Sequence, residues 1–288
     1  MKISDIFGEL TFNERVMREK LSFDVFQRFR DTITRGEPMT REVAECIAHA
    51  LKEWAIENNA THYTHWFHPL TGQTAEKHDA FLQFHDGQSP IERFFASELM
   101  QGEPDASSLP SGGTRTTFEA RGYTAWDPMS PCFIVNGNKT NTLCIPSVFF
   151  SYNGDSLDKK STLIRSTHVL EESVKELLSV LDERVPERIV VTSGAEQEYY
   201  LIKRDAYHLR EDLMVTGRTL IGAQPLRGQK LSDHYFGSIH QDVKAFMEDV
   251  ELDLYRLGVP CKTRHNEVAP CQYEIAPVFE EVNIAADH

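Results

Sequence analysis

Ile189-Val190-Val191-Thr192-Ser193-Gly194-Ala195-Glu196-Gln197-Glu198-Tyr199-Tyr200-Leu201-Ile202 reads as two apolar, strand-like runs joined through a glycine and carrying an acidic E-x-E pattern. Strand side chains alternate, so Glu196 and Glu198 point to one face while Gln197 and Tyr199 point to the other. Two carboxylates directed the same way from a largely apolar strand repel each other and resist burial unless a cation or water reaches them. A hard divalent metal suits that need, because its ligands are oxygens. An edge strand with two solvated glutamates shows the same pattern. The motif alone does not separate these readings.

Later stretches bear on the choice. A helix is expected with Val243, Phe246, Met247, Val250, Leu254 and Leu257 inward and Gly258 as its stop. It is followed by Arg264-His265-Asn266-Glu267-Val268-Ala269-Pro270-Cys271-Gln272-Tyr273-Glu274-Ile275-Ala276-Pro277, two extended pieces around Pro270 that each carry a glutamate. A strand-helix-strand arrangement can bring such segments side by side, so that Glu196, Glu198, Glu267 and Glu274 converge. Oxygen-rich ligation of this kind suits Mg²⁺ or Mn²⁺, whereas zinc prefers His and Cys. Two such ions can clamp a phosphoryl group between attacking and leaving oxygens, as an ATP-using carboxylate-activating enzyme requires.

Upstream, the first sixty or so residues read as helical: Phe23 to Arg30 is amphipathic, and Thr40 offers an N-cap to a helix with Val43, Ile47, Leu51, Trp54 and Ala55 along one side. Thr61 to Leu70 alternates as a strand and holds His62, His65 and His68, but that spacing does not keep all three on one face, which argues against a zinc site. Short apolar segments at Phe81 to Phe84, Phe118 to Tyr123, Cys132 to Val135 and Leu143 to Tyr152 indicate a small sheet-rich domain, with a loop from Gly102 to Gly113. Leu170, Val174, Leu177, Leu178 and Leu181 form a helix stripe before Pro186. The polar connection from Arg204 to Ser232 is either a functional loop or one with short elements of its own.

Composition narrows the class. With 288 residues, 40% apolar and 26% charged, the chain is globular and long enough for two domains. A formal charge of -14 without Lys/Arg clusters disfavours nucleic acid and anionic membrane as partners, and an acidic total suits cation binding. The cysteines at 46, 132, 144, 261 and 271 are odd in number, dispersed and without a C-x-x-C pair, which fits a reducing compartment. The opening residues are too polar for a signal peptide, and no apolar run approaches membrane-spanning length, so a cytoplasmic protein is expected.

These residues, taken in order, resemble a known family. Glu196-Gln197-Glu198-Tyr199-Tyr200 is similar to the metal-binding E-x-E-[FY] strand of glutamine synthetases, and Asn266 to Glu274 resembles their E-V-x-P-x-Q-x-E segment. Between them, His234-Tyr235-Phe236 looks like the Tyr-Phe pair of that family's ammonium pocket. Pro104-Asp105-Ala106-Ser107-Ser108 resembles its Asp-Gly-Ser-Ser loop, with Ala106 in place of Gly, and Cys271 likewise replaces a usual Gly. The segments Thr61 to Phe67, Thr71 to Asp79 and Phe118 to Pro128 resemble the type III branch.

The resemblance implies an α+β fold: a helical extension (1–60), a β-grasp-like small sheet domain (61–160), and the first part of a catalytic β-sheet domain with flanking helices (161–288). It implies ATP-dependent amidation of glutamate through a γ-glutamyl phosphate, with two or more Mg²⁺ or Mn²⁺ ions and ATP as co-substrate. Glu198, Glu267 and Glu274 are assigned to the metal nearest the glutamate carboxylate and Glu196 to the metal nearest the nucleotide phosphates. Asp105, Ser108, Tyr235 and Glu267 would attract ammonium and remove its proton, with Asp105 supplied by the next subunit of a homo-oligomeric double ring, a dodecamer of two hexamers. The family's remaining catalytic parts, including an N-G-S-G-x-H histidine and substrate-binding arginines, do not follow in this sequence; the chain reads as an N-terminal portion and is expected to be inactive alone. The competing readings are a catalytically inactive interaction or regulatory module of the same fold and a metal-dependent hydrolase. The hydrolase is disfavoured by the lack of a nucleophile–base pair.

Overall fold

A computed structural model of the chain describes residues 1–68, 77–85, 89–103, 122–221, 234–269 and 271–288. Three consecutive helices near the start of the chain begin where a polar side chain caps them. Asn13 accepts from the Arg15 and Val16 N–H groups ahead of α2 (Glu14–Lys20), which follows the single turn α1 (Ile3–Ile6). Ser22 caps α3 (Phe23–Arg35), which runs past the expected amphipathic segment and stops at Gly36, in the left-handed region at φ +70°. Thr40 caps α4 (Arg41–Glu57) through a 3.4 Å bond from Val43 N–H, and the expected stripe Val43, Ile47, Leu51, Trp54 and Ala55 is buried.

The sheet elements follow as β1 (Ala60–Trp66), β2 (Asp79–Ala80), β3 (Leu82–His85), β4 (Ser89–Glu92), helix α5 (Ala96–Met100), β5 (Gln101–Gly102), β6 (Gly122–Trp126), β7 (Phe133–Val135) and β8 (Asn141–Ser151). Strand β8 is the spine of the larger sheet, whose order is β2-β1-β8-β6-β5 with β7 also on β8. It runs parallel to β1 and antiparallel to β6 and β7. Buried between neighbours, it has a near-continuous apolar centre rather than alternation. The helices and this sheet share one core, in which Phe12, Phe29, Leu51 and Trp54 meet Tyr63, Trp126, Ile134 and Ile145.

The three histidines of the β1 region disperse. His62 Nδ1 lies 2.8 Å from Thr61 Oγ1, His65 Nε2 is 2.8 Å from the Glu98 carbonyl, and His68 Nε2 is 2.8 Å from Asp287 Oδ1. Burial pulls the His65 imidazole down to about 4, so it packs as a neutral group.

Next comes α6 (Lys160–Val180), whose stripe residues Leu170, Leu177 and Leu181 are exposed rather than packed. Beyond it lie β9 (Thr192–Ser193), β10 (Gln197–Tyr199), α7 (Arg204–Tyr207), α8 (Glu211–Thr216), a 3-10 turn (His234–Phe236), α9 (Gln241–Arg256), β11 (Cys261–Asn266), β12 (Tyr273–Pro277), β13 (Glu280–Glu281) and α10 (Val282–Asp287). The opening stretch is thus less strand-like than its composition suggests. Ile189–Val191 and Tyr200–Ile202 lie outside any strand, and among the described residues β10 pairs with β12 alone, at the edge of its sheet. The polar connection contains α7 and α8, short elements of its own.

The described chain forms two compact units: Met1–Thr192 with Arg256–Gly258 and Glu281–His288, and Ser193–Tyr255 with Val259–Glu280. The architecture is α+β. In the first unit α10 is fastened by a buried polar cluster. Lys160 Nζ, with its side chain fully buried, lies 2.6 Å from Asp287 Oδ2 and 3.1 Å from Asp127 Oδ2. Lys160 also donates to Ser130 Oγ at 2.7 Å, and Asn283 Nδ2 donates to Asp127 at 2.8 Å. In the second unit α9 packs Val243 and Met247 against Cys261, Tyr273 and Ile275.

Candidate metal-binding site

The second unit's three-stranded sheet, β10-β12-β11, has two chemically different faces. Gln197 and Arg264 each pair with Ile275, and Tyr199 pairs with Tyr273. On that side Tyr273 and Ile275 lie in the core against α9, with Tyr199 packed on its edge. One residue along, Glu198 pairs with Glu274, and His265 pairs with Glu274 from the opposite strand. Directly opposed residues on neighbouring strands project to the same side, so Glu198, Glu274 and His265 form a row across the sheet, away from the core.

Glu196, just before β10, joins this row by alternation. Carboxylate oxygens of Glu196, Glu198 and Glu274 lie within 4.8 Å of one another, and so do ligand atoms of His265, Glu267 and Glu274. The two groups share Glu274, which is buried, while Glu196 and Glu198 are exposed. Glu267 follows β11 in a turn closed by its own N–H donating to the Gln272 carbonyl at 2.9 Å. From that turn Gln272 Nε2 reaches Glu198 Oε2 at 2.9 Å. Among the described residues no lysine or arginine pairs with any of these glutamates.

Without a compensating cation, the carboxyls share protons. Burial, then a hydrogen bond with Glu267 and the charges of Glu196 and Glu267, push the Glu274 carboxyl up to about 7. Glu267 moves the other way. Hydrogen bonds from Glu274, from the Val268 N–H and from Tyr235 favour its ionised form. Near pH 7 Glu274 is therefore about half protonated, and Glu267 accepts from it when the proton is present. The negative charge of Glu267 in turn raises the Tyr235 hydroxyl, which bonds to it.

Residues 3–166 match the family described as glutamine synthetase type III N terminal. The chain belongs to the type III glutamine synthetases. Residues 175–288 match the glutamine synthetase catalytic domain, so the acidic row lies within the catalytic-domain match. A glutamine synthetase of Bacteroides fragilis is 47% identical over 287 residues, covering 100% of this chain and 39% of the relative. A type-3 glutamine synthetase of Dictyostelium discoideum is 47% identical over 289 residues, with the same shares covered. The chain thus spans about two fifths of the length of these curated relatives. Among solved structures, a Plasmodium falciparum glutamine synthetase is 17% identical, with a TM-score of 0.48, over 83% of this chain and 46% of that one.

Glu196, Glu198, Glu267 and Glu274 stand close together and Tyr235 lies beside Glu267. Asp105 and Ser108 lie outside the described residues. Two neighbours of the acidic row went unselected in the sequence, His265 and Gln272. Alternation offered a signal for the first, since His265 stands two residues before Glu267; only the turn geometry reveals the second. Cys271 occupies φ +62°, the left-handed region that glycine enters without strain.

Proposed function

We propose that the second unit supplies metal-holding carboxylates for an ATP-dependent glutamate–ammonia ligase. The in-register row of Glu198 and Glu274, flanked by Glu196 and Glu267, carries this reading. In the reaction the γ-carboxylate of glutamate attacks the γ-phosphate of ATP and ADP departs; ammonia then displaces phosphate from the γ-glutamyl phosphate. Glutamine synthetases in general depend on ATP and a divalent metal, and the donor set fits one. Carboxylates that pair with no lysine or arginine among the described residues, one of them buried, suit Mg²⁺ or Mn²⁺. Glu198, Glu267 and Glu274 would serve the ion nearest the glutamate carboxylate and Glu196 the ion nearest the nucleotide phosphates. Bound there, such ions neutralise charge developing on the phosphoryl oxygens.

Glu267 has a second part. Kept ionised by its hydrogen bonds, it offers negative charge to ammonium and an acceptor for its proton, with Tyr235 fixing the carboxylate. Asp105 and Ser108 would complete that cavity, Asp105 from a neighbouring subunit of a homo-oligomeric ring, a dodecamer of two hexamers. The five free cysteines support a reducing, cytoplasmic setting, and among the described residues no helix is long and apolar enough to cross a membrane.

Fusing this chain to the part of the Bacteroides fragilis relative that it does not span tests the reading. Phosphate release dependent on glutamate, ammonium and ATP is expected, and Glu198→Ala or Glu274→Ala should lower it by on the order of a hundredfold or more. An active fusion indifferent to both substitutions would overturn it.

A further inference from the structure

Gln272 meets the acidic row twice, once through its backbone and once through its side chain. It stands two residues before Glu274, just ahead of β12, so alternation sends its side chain to the acidic face, and the Glu198–Glu274 register makes it the diagonal neighbour of Glu198. A long side chain spans that diagonal, and Nε2 donates to Glu198 Oε2 at 2.9 Å. An ionised carboxylate only accepts, so the amide must present its nitrogen there rather than its oxygen. The Gln272 carbonyl meanwhile accepts from the Glu267 N–H at 2.9 Å, and the Gln272 N–H donates to the Ala269 carbonyl at 3.1 Å, which fixes the residue in its turn. One residue thus neighbours Glu274 along the chain, holds Glu267 through the main chain and holds Glu198 through its amide. Glu198 is exposed, so its carboxylate would otherwise turn among several rotamers.

We infer that Gln272 is a positioning residue, which holds Glu198 in place beside Glu267 and Glu274 for the ion nearest the glutamate carboxylate. This rests on the metal-holding role proposed for those three glutamates and leaves their assignment unchanged. The chemistry of the amide matters. A lysine or arginine at this place would also orient Glu198, but its charge would cancel the negative charge that draws a cation. A neutral donor occupies one lone pair of Oε2 and leaves the whole charge of the carboxylate to the ion. The bond reaches Glu198 and not Glu196, so the ion assigned to Glu196 should be affected less. The competing role is a structural one, in which the glutamine only closes the turn and its bond to Glu198 is incidental.

Calorimetry of Mn²⁺ binding to the 288-residue chain separates these roles through a double-mutant cycle on Glu198 and Gln272. Gln272→Met keeps the length of the side chain and loses the donor. It should weaken binding about tenfold, as the loss of a group that orients a ligand does, while the thermal melt of the metal-free chain stays unchanged. In a Glu198→Gln background the same substitution should cost less than about twofold, because the carboxylate it acts through is gone. Gln272→Lys, which keeps a donor but adds charge, should also weaken Mn²⁺. Unchanged affinity in both Gln272 variants, equal losses from Gln272→Met in the two backgrounds, or a metal-free melt lowered by Gln272→Met would overturn the positioning role alone. Mn²⁺ binding indifferent to Glu198→Gln and Glu274→Gln, or no binding, would overturn the metal-holding role of the glutamates and this inference with it.

Discussion

Lys160 and Asp287, 127 residues apart, meet at 2.6 Å with the lysine side chain wholly buried. Their ion pair ties the start of α6 to the end of α10, and Asp127 and Ser130 complete the lysine's surroundings. Removing the lysine would leave two carboxylates buried without their cation. Lys160→Met is expected to cost about 3–5 kcal/mol, read from the urea midpoint at constant slope. A loss below about 1 kcal/mol would mean that water already reaches the cluster.

Acid should release this same cluster. Burial alone would raise the Asp287 carboxyl, but the hydrogen bond with His68 and the charge of Lys160 outweigh it and hold the group below its ordinary range. A depressed carboxyl contributes stability that is complete above the unfolded value and lost as pH falls through the folded one. Asp287→Asn should therefore flatten the acid limb of the stability curve, measured by urea unfolding from pH 6 downwards.

Glu274 predicts the opposite pH trend for the metal-free chain. Its carboxyl is raised to about 7, so the unfolded chain loses that proton first and stability falls as pH rises from the ordinary carboxylate value towards 7. Glu274→Gln should remove this slope. Metal binding must displace the same proton, so affinity should fall about tenfold per pH unit below 7. Calorimetry in buffers of different ionisation enthalpy should show close to one proton released at pH 6 and almost none at pH 8.5.

Cys271 at φ +62° sits where a side chain is strained. Cys271→Gly should stabilise the second unit by about 1 kcal/mol, and Cys271→Val should destabilise it. Thermal melts of the two variants in opposite directions would bear this out; an unchanged melt for both would show that the turn relaxes.

The exposed stripe Leu170 and Leu177 on α6, with Leu181 just past its end, makes a different forecast. Replacing the three leucines with glutamine should change stability by less than about 1 kcal/mol in total, while lowering self-association and binding of a hydrophobic dye. A large loss of stability would mean that the stripe is packed in solution.

Much was legible where a rule acts locally. Helix period and a threonine cap placed α4 and its buried face, and strand alternation put Glu196 and Glu198 on one side, because both depend only on backbone repeats within a few residues. The strands around the E-x-E are shorter than its apolar flanks suggest, since strand character at Ile189 to Val191 and Tyr200 to Ile202 needs a partner strand that composition does not reveal.

The sequence by itself determined the residue types of the acidic row, the order of the family's motifs and the α+β class. Tertiary structure alone decided the register that sets Glu198 and His265 on either side of Glu274, the Gln272–Glu198 bond across 74 residues, the proton held between Glu267 and Glu274, and the burial of Lys160. The physical reason is range. Periodicity is written in neighbouring residues, whereas a register, a shared proton or a buried ion pair exists only once distant segments have excluded water between them.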